Sequence, residues 1–265
     1  MTVFFSEDGR VFYEGDGFTV VVNRYSDPDR TNLARNAAIY LGKKDRNNIR
    51  RPLSIIRKGH VPAIFRGESV EFEFINVSKE VYDHLITYTT ANMRAAGGNR
   101  ALTSDSFTVP SDKTKNDTLV WHNINVSMNS YKELLEAGET PQVARAAMPT
   151  SAKLNNFVFQ FNFLTLGESV FKQRIWEKGA QGNTVKVVQA MYELCAAFDK
   201  ELWDTFYEYR GTPTLEWTQV RNKIKKSKMT VSQLKSILDE VVDEQGEELA
   251  VDFLIKEYGG LHSMW

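Results

Sequence analysis

Chemistry in this chain falls to histidine, arginine and hydroxyl groups, because the stronger motifs are absent from the sequence. There is no Cys pair, no His-Glu-x-x-His and no clustered Asp triplet for a metal. There is also no Walker loop and no Gly-x-Ser-x-Gly elbow. Four histidines remain, with a reference pKa close to neutral. His60 follows Gly59 at a predicted helix end, where an imidazolium can simply stabilise the helix dipole. His84 lies on a predicted helix and reads as a proton carrier or as an ordinary surface or core residue. His122 and His262 have no partner in the pattern. Gly97-Gly98 could let backbone N–H groups approach a phosphate, or could only end a helix. The single cysteine, Cys195, sits in a helical pattern and reads as a small buried side chain, with no internal disulfide available. The run Arg221-Asn222-Lys223-Ile224-Lys225-Lys226 could touch a phosphate chain or be a solvated helix face.

The whole chain bounds what these groups can do. It has 265 residues, 42% of them apolar and 12% aromatic, enough to bury a sizeable core. Net charge is −1, so no overall basic field draws it to polymeric nucleic acid or to an anionic membrane. An anionic ligand must be held by a local cluster of Arg or Lys. No secretory leader pattern is visible, and no apolar run approaches the ~20 residues of a membrane span. A soluble, cytoplasmic protein is expected.

The elements that must position a site alternate between strands and helices. Val3-Phe4-Phe5 and Val11-Phe12-Tyr13 read as a hairpin turning at Gly9, and Phe18 to Val22 as a third strand. Thr31 to Leu41 and residues 49–58 read as helices. Ser69 to Ile75 alternates apolar and charged residues like a half-buried strand. Ser78 is a helix N-cap candidate, and its helix is expected to run to Met93. Residues 102–127 read as a polar loop with one strand at Leu119 to His122. Residues 128–138 form a helix stopped by Gly138, and Thr140-Pro141 opens a short one ending near Met148-Pro149. Lys186 to Tyr209 reads as one long amphipathic helix. Thr230-Val231-Ser232-Gln233 is a capping box. The pattern is α/β in the α+β sense, with a main domain over 1–210 and a small helical extension over 214–265.

Four segments, in order, resemble flavin-dependent thymidylate synthases. They are Leu33-Ala34-Arg35-Asn36-Ala37-Ala38; Gly59-His60 followed by Phe72-Glu73-Phe74-Ile75-Asn76-Val77-Ser78; Tyr131 to Gly138 with Pro141-Gln142-Val143-Ala144-Arg145-Ala146-Ala147-Met148-Pro149; and Asn162, Arg174 and Ala180-Gln181. The resemblance implies a mixed sheet flanked by helices, assembled as a homotetramer with sites between subunits. It implies transfer of a one-carbon unit from methylenetetrahydrofolate to C5 of dUMP, with FAD and NADPH supplying the hydride. Arg100, Arg145 and Arg174 fall on positions that bind the nucleotide. Arg suits this because its planar fork can grip a phosphate or a carbonyl with parallel hydrogen bonds. His60 and Asn162 fall near the flavin.

The family's Arg-His-Arg signature is replaced here by Thr87-Tyr88-Thr89. Those positions keep hydrogen-bonding groups and lose fixed positive charge, and charge-assisted bonds are about twice as strong as neutral ones. The substitution bears on FAD. It leaves open a different base such as that of dCMP, a hydroxymethyl product without flavin hydride, or a catalytically silent nucleotide-binding relative.

Overall fold

Alternation along the strands decides which face of the sheet becomes core. Ser69–Ile75 (β4) turns Val70, Phe72 and Phe74 to one side, all fully buried, and Glu71 and Glu73 to the other. Phe157–Asn162 (β6) repeats the pattern with Phe157, Phe159 and Phe161. Burying each such ring contributes roughly 1.5–3 kcal/mol. The computed structural model describes residues 3–6, 9–58, 60, 63–88, 92–97, 106–112, 114–177, 180, 182–211, 220, 223–224, 226–227 and 230–245.

Val3–Phe5 (β1), Val11–Glu14 (β2) and Thr19–Tyr25 (β3) lead into β4, and Asn92–Ala96 (β5) lies on the far side of β6. The sheet order is β1-β2-β3-β4-β6-β5, and every pairing is antiparallel. The α+β class is as expected. The sheet is flanked by helices, also as expected, and its described pairings are antiparallel.

Helices cover the aromatic face. Thr31–Tyr40 (α1) starts where Asp27, itself buried, accepts from the N–H groups of Asn32 at 3.1 Å and Leu33 at 2.9 Å. Arg51–Arg57 (α2) has Pro52 in its first turn, where the missing N–H costs nothing. Lys79–Ile86 (α3) lays Tyr82 edge-on against Phe157, with ring centres 5.0 Å apart. Asp117–Glu136 (α4) ends at Gly138, whose φ of +87° suits a residue without Cβ. Pro141–Ala144 (α5) passes into the 3₁₀ turn Arg145–Ala147. Phe163–Thr165 (α6) continues as the π-helical run Leu166–Trp176. Gly182–Phe198 (α7) and Lys200–Phe206 (α8) follow, α8 passing into π-helical Tyr207–Gly211. Val231–Gln245 (α9) opens on the expected capping box: Thr230 N–H donates to Gln233 Oε1 at 2.9 Å, and Gln233 N–H to Thr230 Oγ at 3.2 Å. No described helix is long and apolar enough to cross a membrane.

Three expectations are overturned. The helix from Ser78 stops at Ile86, not Met93, and Asn92–Ala96 is a strand. The run Ile86-Thr87-Tyr88-Thr89-Thr90 is rich in β-branched and aromatic residues, and Thr87 Oγ closes the helix on the His84 carbonyl at 2.6 Å. Leu119 to His122 is no strand: α4 begins at Asp117, capped by Asn116, whose side chain accepts from Leu119 N–H at 3.2 Å. Its first half stands in solvent without an apolar stripe, so periodicity gives no signal there; Leu119, Trp121 and Val126 are exposed. The long helix from Lys186 to Tyr209 is two helices. Asp199 breaks it by leaving helical geometry and capping α8 through Leu202 N–H at 3.1 Å.

Candidate functional site

The end of α3, the π-helical run and the start of α7 meet around Tyr88. Tyr88 is buried, and its hydroxyl donates to Gln173 Oε1 at 3.1 Å and accepts from Arg174 Nε at 2.9 Å. The Arg174 guanidinium carbon also lies 5.6 Å from the Tyr88 ring centre, within cation–π range. Two of the residues singled out from sequence, 86 positions apart, are thus in contact. The local cause is the π-helical winding, which is often found at functional sites and which turns Gln173 and Arg174 together towards α3.

His84, one helical turn before Tyr88, bonds through Nδ1 to Thr184 Oγ on α7 at 2.6 Å. Burial and the Arg174 positive charge both push its pKa below 6.5, outweighing the pull of Asp83. A neutral imidazole follows at neutral pH. Burial raises the Tyr88 phenol, against the opposing pull of Arg174, so it stays a proton donor. Among the described residues, no carboxylate lies within ion-pair distance of Arg174. Its Nε is held by Tyr88, and its two terminal nitrogens point to no described partner. Such a cation, half-buried, suits an anionic or carbonyl-bearing ligand.

The other expected residues have separate local engagements where they are described. Arg145 lies on the turn after α5, its Nε bonded back to the Pro141 carbonyl at 3.1 Å, beside an open depression of about 650 Å³ shared with Thr140, Pro141 and Gln142. Arg100 and Thr89 lie outside the described residues. Thr87 is exposed, with its hydroxyl spent on the His84 carbonyl. Asn162 Oδ1 caps α6 by accepting from Thr165 N–H at 2.8 Å. His60 is exposed, and its N–H closes α2 on the Ile55 carbonyl at 3.1 Å. Gly97 is required by packing: a Cβ there would meet the Asn156 carbonyl oxygen and Phe157 Cα at 2.6 Å.

A flavin needs positive charge or free donors for its pyrophosphate. Thr87, Tyr88 and Asn162 each engage within the chain, and none carries a charge to offer it.

Sequence reasoning missed one further cavity. About 300 Å³ lies between the β2–β3 turn, the start of α3 and α7, with Lys153, Lys186 and Asn183 among its polar walls and Phe18, Val81 and Phe107 among its apolar ones. These residues come from five stretches of chain with no shared motif. Among the described residues, no group of three or more His, Cys, Asp or Glu could hold a metal ion.

Comparison with known proteins adds the following. The family model described as thymidylate synthase complementing protein matches residues 18–199. No curated protein sequence matches the chain. Among solved structures, the chain resembles a UMP/dUMP methylase, PolB from Streptomyces cacaoi bound with 5-Br dUMP, at 17% identity and TM-score 0.55 over 72% of this chain and 95% of that one. It also resembles Thymidylate Synthase X from Helicobacter pylori with FAD and dUMP, at 15% identity and TM-score 0.54 over 71% of this chain and 98% of that one. At these identities the likeness speaks to the fold.

Proposed function

The chain belongs to the thymidylate synthase complementing protein family, and on that premise we propose that it transfers a one-carbon unit to C5 of a pyrimidine deoxynucleotide, dUMP foremost. The two solved relatives hold dUMP or 5-Br dUMP, which supports this substrate class. The observation that carries the reading onto this chain's own residues is Arg174: half-buried, oriented by Tyr88, and without a carboxylate partner among the described residues. In this reading its terminal nitrogens grip the nucleotide, and neutral His84 keeps a second cation out of the pocket.

Arg100 and Arg145 complete the nucleotide site. We propose a homotetramer with sites between subunits. We read residues 1–210 as the nucleotide-binding domain and 214–265 as a helical extension.

The one-carbon donor is methylenetetrahydrofolate. A methylene unit becomes a methyl group only with a hydride, for which the family implies FAD and NADPH. A second reading is favoured by the internal engagement of Thr87 and Tyr88: water quenches the adduct and leaves a hydroxymethyl group, with no hydride needed.

Calorimetric titration with dUMP, dCMP and FAD tests the proposal. The expected result is saturable dUMP binding that Arg174→Ala weakens roughly ten- to a hundredfold. Unchanged dUMP affinity in that variant would take Arg174 out of the site. Mass analysis of the nucleotide after incubation with methylenetetrahydrofolate separates methyl from hydroxymethyl product.

A further inference from the structure

A net charge of −1 conceals a sharp local imbalance. Residues 31–66 hold nine Arg and Lys against one acid, Asp45, a net of +8, and the rest of the chain carries −9. These residues form α1, the loop 41–50, α2 and the 3₁₀ turn Ala63–Arg66, which pack on one another. Arg35, Lys43, Lys44, Arg46, Arg50, Arg57, Lys58 and Arg66 are all exposed. None of them is ion-paired among the described residues; only Arg51 is, to Asp45 at 3.3 Å. The acids of the neighbouring α8 are already committed, Glu201 to Arg30 at 2.7 Å and Asp204 to Lys200.

The loop between the helices is built. Arg51 Nη1 donates to the Asp45 carbonyl at 2.6 Å, Asp45 Oδ1 accepts from Asn47 N–H at 3.0 Å, and Asn48 Oδ1 accepts from Arg50 N–H at 3.1 Å. Its cations are therefore presented on a shaped surface. Like charges at this density repel one another unless a polyanion neutralises them, and the gain from releasing the polyanion's counterions favours such a partner. Six of the nine cations are Arg, whose fork matches phosphate oxygens. Tyr40, 56% exposed beside exposed Ile39 and Leu41, offers a ring on which a base can stack. A bilayer fits less well, because Ile39, Tyr40, Leu41 and Ile49 are exposed at a helix end and in the loop, whereas the apolar sides of both helices, Leu33, Ala37, Leu53 and Ile56 among them, are turned into the core.

We propose that the α1–α2 face binds the phosphodiester backbone of nucleic acid, without sequence preference, at a surface separate from the nucleotide site. The test is fluorescence anisotropy of the full chain with a labelled oligo-dT 20-mer. Affinity is expected to fall steeply between about 50 and 200 mM salt, with a slope near −0.7 per phosphate neutralised. The triple variant K43E/R46E/R50E, altered only at exposed positions, is expected to lose at least tenfold in affinity while its thermal unfolding stays unchanged. The pair R57E/K58E, at the far end of α2, gives the same readout should the triple variant misfold. Salt-independent binding, or wild-type affinity in a folded variant, overturns the proposal. Three competitors complete the test. Full displacement by excess dUMP would merge the patch with the mononucleotide site. Equal competition by polyglutamate would assign it to acidic peptide. Tighter binding to phosphatidylglycerol vesicles than to the oligonucleotide would assign it to lipid. Each of these outcomes also overturns the proposal.

Discussion

Two arginines in this fold are drawn out of bulk water, and their surroundings are opposite. Arg30 sits at the start of α1 with φ of +60° and is 9% exposed. Its Nη2 bonds Glu201 at 2.7 Å, and its Nε faces Asp199 at 3.0 Å as an ion pair off hydrogen-bond alignment. Arg174 is held by a phenol and an aromatic face, with no carboxylate within ion-pair distance among the described residues. A cation boxed in by two carboxylates has nothing left to offer a ligand. One held by neutral groups keeps its charge available. The first arrangement ties α1 to α8; the second orients a fork for something not covalently part of the chain.

The largest expected effect tests the first half of that contrast. Arg30→Ala leaves Asp199 buried and unpaired, and removing one member of a buried pair costs about 3–5 kcal/mol. Urea unfolding should show this loss, and dUMP affinity of the folded fraction should stay at the wild-type value. A stability change under about 1 kcal/mol would mean that the seam is not held by this pair.

Arg174→Ala should invert the pattern. Stability should fall by only about 1–2 kcal/mol, for the lost Tyr88 hydrogen bond and ring contact, because no buried carboxylate is orphaned. Nucleotide affinity should fall roughly ten- to a hundredfold, the worth of hydrogen bonds to a charged group at about 1.5–3 kcal/mol. Calorimetry beside urea unfolding separates the two. A variant that loses stability and keeps affinity would place Arg174 with Arg30 as a structural residue.

How visible these two environments are in sequence differs for a physical reason. The sheet was legible because its strands alternate strictly: Val70, Phe72 and Phe74 could belong only to one buried face. The capping box at Thr230 was legible because both bonds are local. Arg174 and Tyr88 could be picked out individually, through the family resemblance, but not their contact, which depends on a π-helical winding that no periodicity announces. Arg30 was missed altogether: its partners are 169 and 171 positions away, and its left-handed backbone is not written in its residue type. The break at Asp199 was missed for the same reason, since a capping acid inside an apolar-periodic run looks like a surface residue.

Tyr88→Phe sharpens the contrast more gently. It deletes the hydroxyl that orients Arg174 and keeps the ring under the guanidinium. The expected stability loss is about 2 kcal/mol, the net value of its two hydrogen bonds, to Gln173 and from Arg174. Affinity for dUMP should drop several-fold while Arg174 remains present. An unchanged dissociation constant would show that the phenol does not position the guanidinium.

The smallest effect is a difference in sign. His84 has its pKa pushed below 6.5 by burial and by Arg174. Well above pH 6.5 neither the folded nor the unfolded state protonates it, so it contributes no slope. Below that value the unfolded chain takes up the proton first, and stability falls with acidification until the folded-state value is passed. Asp199, beside Arg30, behaves oppositely. Burial raises its pKa above 3.8, against the pull of the Leu202 N–H and of Arg30. Between 3.8 and its raised value the folded state holds the proton, so the contribution is present at low pH and fades as pH rises through that window. Urea midpoints measured between about pH 4 and 7.5 for the wild type, His84→Gln and Asp199→Asn read both slopes. His84→Gln should flatten the decline that begins near pH 6.5 and leave the acid end alone, and Asp199→Asn should do the reverse. If His84→Gln left the decline below 6.5 intact, the imidazole would not be the group that senses the charge of Arg174, and the corner around Tyr88 would lose its electrostatic distinction from the Arg30 seam.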